Sequence, residues 1–325
     1  MLFWSRSHSL QRKIITAIVM VGFLPLSLSL VLTYIEERRA LRETIGANFK
    51  EVAVEAARRI EMQVTRGINE AQQLAAMPFL RTSVTESNRT YVDNDEKTVQ
   101  SMIKAWQQRW RQRDKQSEFP LFINRIVTNY LIRWHDIRKS DYVGIFVTDN
   151  RGALVVSSIP QVEYYYGKTA WWQAVMKRGT GKVFVSDIFF DPAFGTHVVN
   201  VSTPIIDDEQ HTTIGAVTIL LRRDTLFHSV SEATVGQTGH AMLFSSDGVP
   251  LVCPILSPEE HVVKPELVNA ISGHAAGWTT AANDSHGGEN SIVGFAPVRL
   301  GTDLTPESLG GKRWVAFVRQ DPAES

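Results

Sequence analysis

The hydrophobic pattern divides the chain into a rod and two sheet-forming segments. Ile14 to Ile35 contains no charged residue. As a helix those 22 positions reach roughly 33 Å, enough to cross a bilayer core of about 30 Å. Pro25 is tolerable in a membrane helix. A cleaved signal peptide is the competing reading. The run is longer than the roughly 7–15 residues of a signal h-region, and no A-x-A-like site follows it. Apolar residues then recur at Ile45, Phe49, Val52, Ala56, Ile60, Val64, Ile68, Ala71 and Leu74. Steps of three and four put them on one stripe of a helix. The pattern predicts a stalk helix over 36–78, ended by Pro78, with about 64 Å between Ile35 and Met77. Its stripe must be covered by the rest of the chain, by a second copy, or by both at different heights.

Residues 79–141 read as a helical region. The polar stretch Glu86–Lys97 reads as a loop, Met102–Arg113 as a short helix, and Phe122–Ile137 as another, with Ile123, Val127, Tyr130 and Trp134 at helical spacing. From Val143 the period changes. Val143–Thr148 and Ala153–Ser157 pair across Asp149-Asn-Arg-Gly152, which is a hairpin signal. A helix over Ala170–Lys177, a turn at Gly179-Thr-Gly181, and strands at Val183–Ser186, Thr196–Pro204 and Thr213–Leu221 complete a module over 142–223. Asp224 is placed to N-cap a linker helix reaching about Ala233, within 224–239. The order then repeats over 240–320. His240–Ser245 and Val249–Val252 pair across Asp247-Gly248, Pro265–Ser272 is helical, and Trp278–Ala281, Ser291–Pro297 and Arg313–Arg319 are strands. Arg299–Gly311 is a polar excursion before the last strand. The fold class is therefore α+β: a membrane helix and a long stalk helix, then two tandem modules with antiparallel sheets.

Composition narrows the chemistry. Formal charge is balanced, so nothing draws the whole chain to nucleic acid or an acidic surface. The basic stretch Lys104–Lys115, with Trp106 and Trp110, reads as a helix packing two tryptophans and solvating its charges. Cys253 is the single cysteine, so no intrachain disulfide forms, and it is most simply a small buried hydrophobe. H-E-x-x-H, C-x-x-C and G-x-S-x-G are all absent. Gly179-Thr-Gly-Lys182 matches only the end of a phosphate loop, with Val183 where Ser or Thr must bind magnesium. His197, His211, His228, His240, His261, His274 and His286 show no clear metal-ligand spacing, so no metal or cofactor is expected. Asp187 and Asp191 could form a carboxylate pair, without an evident third partner.

The arrangement resembles the double Cache (dCache) sensor domains, in which two PAS-like modules stand in tandem on a membrane-anchored helix. Tyr164-Tyr-Tyr-Gly-Lys-Thr-Ala-Trp-Trp-Gln-Ala174, Ser186-Asp-Ile-Phe-Phe-Asp-Pro-Ala-Phe-Gly195 and Thr203-Pro204 follow the family's running pattern, as do Val293-Gly-Phe-Ala-Pro297 and Trp314-Val-Ala-Phe-Val318. The resemblance covers about Ile14 to Gln320. It implies a bacterial membrane receptor, not an enzyme. Residues 1–13 would be a cytoplasmic tail, the bulk would be periplasmic or extracellular, and 321–325 would precede a second membrane helix. Lys and Arg counts around the span do not decide its orientation, although Arg6, Arg12 and Lys13 stand in an acid-free tail. A kinase, cyclase or chemoreceptor output would lie outside this sequence.

Relatives that bind α-amino acids use a Tyr, an Arg two residues before a Trp, a Tyr-x-Asp and a later Asp. The Arg grips the ligand carboxylate and the acids take its ammonium. Tyr164, Trp171 and Asp191 stand in matching places, but Phe189 replaces the second Tyr, Thr169 the Arg and Leu220 the later Asp. Lys168, next to Thr169, could offer a cation without the planar fork. The expected pocket is Tyr164, Tyr166, Trp171, Trp172, Phe189 and Asp191. Such a set suits an amine, a small cation or a partly apolar metabolite rather than an ordinary α-amino acid. The second module shows no comparable cluster and would act as spacer and relay. A homodimer through the stalk and no nucleic-acid partner complete the expectation. The rivals are a structural or protein-binding stalk, and an exported enzyme if scattered His and Asp residues converge.

Overall fold

The computed structural model describes residues 10–112, 125–177, 182–207, 209, 211–273, 275–300, 313–321 and 324. The turn at 179–181, the phosphate-loop fragment except Lys182, and 301–311 of the polar excursion lie outside them. Helix α1 (Leu10–Ile18) passes through a π turn (Val19–Phe23) into α2 (Leu24–Ala75), 52 residues or about 78 Å long. The π turn is where Leu24 N–H reaches back to the Val19 carbonyl. It sits just before Pro25, whose ring would otherwise crowd the preceding turn. The helix surface from Ile14 to Ile35 is uncharged and exposes its large apolar side chains, as a lipid-facing segment would. From Gly46 onward the predicted stripe is covered: Phe49, Ala56, Ile60, Val64, Ala71 and Leu74 are buried, with Ile45, Val52 and Ile68 partly so.

Pro78 starts α3 (Pro78–Arg89) rather than only stopping α2. The loop expected over 86–97 shrinks to 90–95, because α4 (Glu96–Gln112) begins under a side-chain cap: Asp95 accepts the Thr98 N–H at 2.8 Å. Helix α5 spans Arg125–Asp136. The first sheet contains β1 (Tyr142–Asp149), β2 (Leu154–Ser157), β3 (Phe184–Val185), β4 (Phe189–Asp191), β5 (Thr196–Ile206) and β6 (Thr213–Arg222), with α6 (Ala170–Lys177) between β2 and β3. Its order is β2-β1-β6-β5-β3, antiparallel throughout, with β4 also on β5. The hydrophobic pattern does not predict β4.

Helix α7 (Arg223–Ser231) links the modules. Its N-cap residue is Arg222, not Asp224, which lies in the first turn and meets the helix dipole without capping a donor. The second sheet contains β7 (Thr234–Val235), β8 (Gly239–Ser245), β9 (Pro250–Val252), β10 (Gly277–Ala281), β11 (Ser291–Pro297) and β12 (Trp314–Arg319), with α8 (Pro265–Ile271) between β9 and β10. Its order is β10-β11-β12-β8-β7, with β9 on β8. Apart from β4 and β7, the two sheets share one topology, so the internal repeat is real at the level of strand order.

Both sheets lie against α2, and the second lies closer. A Cβ on Gly294 of β11 would fall 2.3 Å from the Phe49 carbonyl carbon, and one on Gly46 would fall 2.1 Å from the Trp278 ring. At the first sheet the contact is looser: a Cβ on Gly67 would stand 3.8 Å from Val201 Cγ2. The outer face of the second sheet builds its own core from Phe244, Val315 and Phe317 with Leu267 and Ile271 of α8. The β1–β2 turn is tied to α3 through Asp149. Its buried carboxylate accepts from Ser87 Oγ (2.9 Å), Tyr91 Oη (2.8 Å) and the N–H groups of Arg151 and Ala153 (both 2.9 Å). A polar bond joins the modules directly, from Trp314 Nε1 to Asp187 Oδ1 at 2.8 Å. Asp187 is therefore committed to that contact and to the Ile188 N–H (2.9 Å), and does not form the carboxylate pair with Asp191.

Candidate ligand-binding site

Register defines one face of the first sheet. Phe146 of β1 stands opposite Thr218 of β6, which stands opposite Ser202 of β5. The neighbouring row is Gly144, Leu220 and Asn200. Cross-strand partners share a face and successive residues alternate, so Phe146, Thr148, Thr218, Leu220, Ser202 and Asn200 lie together. The opposite face, with Val201, meets α2.

Helix α6 packs over this face. Trp171 meets Phe146 edge-on with centroids 6.0 Å apart. Tyr166 stacks on Phe146 at 4.7 Å and tilts against Trp171 at 5.5 Å. Such pairs contribute about 0.5–1.5 kcal/mol each beyond their buried area. Tyr166 Oη accepts the Glu163 N–H at 2.9 Å. Burial pushes its phenol up, and the charges of Glu163 and Asp191 add to that shift. Asp191 is thus near enough to act on this cluster. It ends β4, where its Oδ1 accepts the Ala193 N–H at 2.9 Å and closes the turn toward Gly195. Phe189, two residues earlier and opposite Val198, falls on the same side and is 41% exposed at the rim.

Beneath the aromatics the sheet face carries polar side chains beside apolar Leu220. Ser202 Oγ donates to Asn200 Oδ1 at 2.6 Å and meets Thr218 Oγ1 at 2.9 Å. All three residues are buried, and the buried Thr148 hydroxyl has no hydrogen-bond partner among the described residues. A buried unsatisfied hydroxyl costs about 1–3 kcal/mol, which a ligand's polar group would recover.

The structure brings Tyr166, Trp171, Phe189 and Asp191 to one side of the sheet. It does not bring Tyr164 and Trp172 there. The Tyr164 ring lies 6.2 Å from Trp110 and lines a separate cleft of about 370 Å³ with Tyr91 and Trp106. Burial and the Asp149 charge raise its phenol. Trp172, one step round α6 from Trp171, lines an outer cleft of about 590 Å³ with Tyr165, Lys104 and Arg111. Lys168 lines that outer cleft too, so it does not replace the missing Arg beside Trp171. The Thr169 hydroxyl is spent on the Tyr166 carbonyl at 2.7 Å. Sequence reasoning missed Phe146, Thr148, Asn200, Ser202 and Thr218. The signal was present, since Asn200 and Ser202 alternate with valines at 199 and 201 in a strand that should be apolar.

The dCache_1 family profile, described as a Cache domain, matches residues 37–325. The chain belongs to the dCache family. Its fold resembles the ligand-binding domain of the Pseudomonas aeruginosa amino acid chemoreceptor PctB solved with L-Arg, at 18% identity and a TM-score of 0.52 over 87% of this chain and 97% of that one. It also resembles the PctC domain of the same organism, solved with GABA, at 15% identity and a TM-score of 0.50 over 83% and 97%. The Campylobacter jejuni Tlp3 sensory domain, solved with isoleucine, gives 12% identity and a TM-score of 0.50 over 88% and 96%. No curated protein matches the chain. dCache domains are extracytoplasmic sensory domains rather than enzyme domains, and the apolar helix of this one is a possible anchor.

Proposed function

We propose that this chain is the extracytoplasmic sensing region of a bacterial inner-membrane receptor. The helix over 14–35 anchors it, and the distal module binds a small amine or other cation with a partly apolar body. The output, whether kinase, cyclase or chemoreceptor, lies elsewhere. The observation that carries this reading is the aromatic cluster of Phe146, Tyr166 and Trp171, with Asp191 beside it, over a buried polar floor. Aromatic faces attract a cation within about 6 Å, and a carboxylate adds a point charge. PctB, PctC and Tlp3 bind ligands that all carry an amine. This chain keeps groups suited to that amine. It lacks both ends of the α-amino-acid clamp, because Thr169 is spent on Tyr166 and apolar Leu220 stands in the floor.

Occupation of the site would be felt by α2, which packs on the back of the same sheet. Parallel pairing of two α2 helices near the membrane would cover the residues above Gly46, where neither module reaches. The test is thermal unfolding of the full chain in detergent against amines, amino acids, organic acids and purines. A ligand that binds only the native state raises the midpoint, by about 2.7 kcal/mol of stabilisation at a hundred times its Kd. The reading expects a shift with amines that lack an α-carboxylate. A shift confined to organic acids or purines would sink it.

A further inference from the structure

The second module brings together residues whose spacing in the chain suggested nothing. His240 and Met242 lie on β8, Cys253 just after β9, His261 just after a short 3-10 turn (Pro258–Glu260), and His286 in the loop before β11. Cys253, expected to be a small buried hydrophobe, packs against the outer core of the second sheet. It is half-buried, with Sγ 3.5 Å from His286 Nε2 and 3.9 Å from His240 Nε2. His286 Nε2 lies 3.2 Å from His261 Nε2 and 3.2 Å from Met242 Sδ. The ligand atoms of His240, Cys253 and His286 all lie within 4.8 Å of one another.

Two of the rings are oriented from behind. His240 Nδ1 lies 3.1 Å from the Thr238 carbonyl, and His261 Nδ1 lies 2.8 Å from the Ser257 carbonyl. A carbonyl only accepts, so each Nδ1 carries the hydrogen and each Nε2 turns a lone pair into the cluster. This is how ligating histidines are held in metal sites. The loop carrying His286 is fixed as well. Asp284 accepts the N–H groups of His286 (3.0 Å) and Gly288 (2.8 Å) and the Ser291 hydroxyl (3.0 Å), and is itself gripped by the buried Arg319 guanidinium. A neutral cluster cannot satisfy the centre. His286 Nε2 has at most one hydrogen, yet a thiol sulfur, an imidazole nitrogen and a thioether sulfur all lie in contact with it.

A cation resolves the arrangement, and the spacings suit a particular one. Zinc-type bonds of about 2.05 Å to nitrogen and 2.3 Å to sulfur give tetrahedral edges of about 3.3 Å between nitrogens and about 3.6 Å between nitrogen and sulfur. The sulfur contacts of Cys253 with His286 and His240 are at 3.5 and 3.9 Å, and the three ligand atoms lie within 4.8 Å of one another.

We propose that His240, Cys253 and His286, with His261 next to His286, form a site for a thiophilic transition-metal ion, zinc(II) or copper(I), in the membrane-proximal module. On binding, the Cys253 S–H bond breaks and its proton goes to solvent. The sulfur then coordinates as thiolate, and the imidazoles of His240 and His286 bind through Nε2 and keep their Nδ1 hydrogens. Met242 is the feature that discriminates between the ions, since a thioether ligand favours copper(I). The site joins β8, the segment after β9, the 3-10 turn and the 282–290 loop. By strand register His240 and Met242 hold the positions that Gly144 and Phe146 hold in the first module, on the face away from α2. The site would thus give the proximal module its own chemical input, independent of the distal ligand.

The test uses the full chain, without a polyhistidine tag, in detergent. Metal is stripped with a chelator, and zinc(II), cobalt(II) and, under anaerobic reducing conditions, copper(I) are titrated separately. The expected result is one ion per chain and, with cobalt(II), a tetrahedral visible spectrum with a thiolate charge-transfer band. Cys253→Ser should abolish that band. His286→Gln should weaken binding by more than the roughly 10–100-fold lost with an outer-shell partner. Met242→Leu should weaken copper(I) and leave zinc(II) unchanged if the ion is copper, and change neither if it is zinc. His211→Ala, exposed and remote in the chain, is the control. Absence of stoichiometric binding by the folded wild-type chain would overturn the site, as would binding that Cys253→Ser and His286→Gln leave intact.

Discussion

Gly294→Ala and Gly67→Ala make opposite predictions from one piece of geometry. Both glycines lie where α2 meets a sheet. At Gly294 an added methyl would fall 2.3, 2.4 and 2.6 Å from the Phe49 carbonyl carbon, the Phe49 oxygen and the Lys50 nitrogen. All three are backbone atoms of a helix, so no rotamer change relieves the clash. The helix and β11 must separate by about 1 Å, which also disturbs the fit of Trp278 over Gly46 and the buried Phe49 ring. Overpacking of this kind costs about 1–3 kcal/mol, and a backbone clash belongs at the upper end. At Gly67 the nearest atom is Val201 Cγ2 at 3.8 Å, an ordinary contact. There the change only removes backbone freedom from a helix interior and should stabilise by about 0.8–1 kcal/mol. Given roughly 2–4 °C per kcal/mol for chains of this order, Gly294→Ala should lower the melting midpoint by about 5–10 °C and Gly67→Ala should raise it by about 2–4 °C. Circular-dichroism melts of the purified full-length variants read both. Gly294→Ala melting with the wild type would refute the direct seating of the proximal sheet on the helix. Destabilisation by Gly67→Ala would refute the looser distal contact.

Four further outcomes follow. Asp149→Ala leaves two hydroxyls and two N–H groups without their acceptor, and should cost about 3 kcal/mol or more in chemical denaturation. Thr169→Arg with Leu220→Asp should create α-amino-acid binding, read by calorimetry, in a chain that shows none before. Trp314→Phe removes the indole donor to Asp187 while keeping the apolar bulk, and should loosen the two modules, read as faster amide exchange at the β3–β4 segment. Glu324 accepts from Thr238 Oγ1 and the Gln237 and Thr238 N–H groups, which hold its carboxyl at about 2. A depressed carboxyl contributes stability that is complete above the unfolded value and lost as pH falls toward the folded one. Glu324→Gln should therefore flatten the fall in stability between about pH 5 and 2 and leave its neutral-pH slope unchanged.

Much of the fold was legible because it rests on period and punctuation. The α2 stripe, the Asp149–Gly152 and Asp247–Gly248 hairpins and the strand at Ser291–Pro297 all follow local rules that the chain obeys. The misses have physical causes. The stretch 86–97 looked like a loop because α3 ends in polar residues, Glu86 to Arg89, that face solvent or tie to the sheet. Asn88, for instance, donates to the Ile214 carbonyl at 2.8 Å. β4 was too short to show a period. The candidate site was half legible. Resemblance located Trp171 and Asp191, but residues 171 and 172 point to different clefts, which only the helix's rotational setting decides. The His–Cys cluster was invisible because its members stand 8 to 25 residues apart or more in the chain and meet only when β8, β9 and the 282–290 loop fold together.

The adjacent tryptophans also offer the most direct test of ligand sensing in the distal module. Calorimetric titration of the best amine from the thermal panel would be made on the wild-type chain, Trp171→Ala and Trp172→Ala. A ligand held over the first sheet predicts that Trp171→Ala abolishes binding while Trp172→Ala leaves the affinity within a few-fold. Loss of binding in Trp172→Ala with Trp171→Ala unaffected would place the ligand in the outer cleft beside α4 and contradict it.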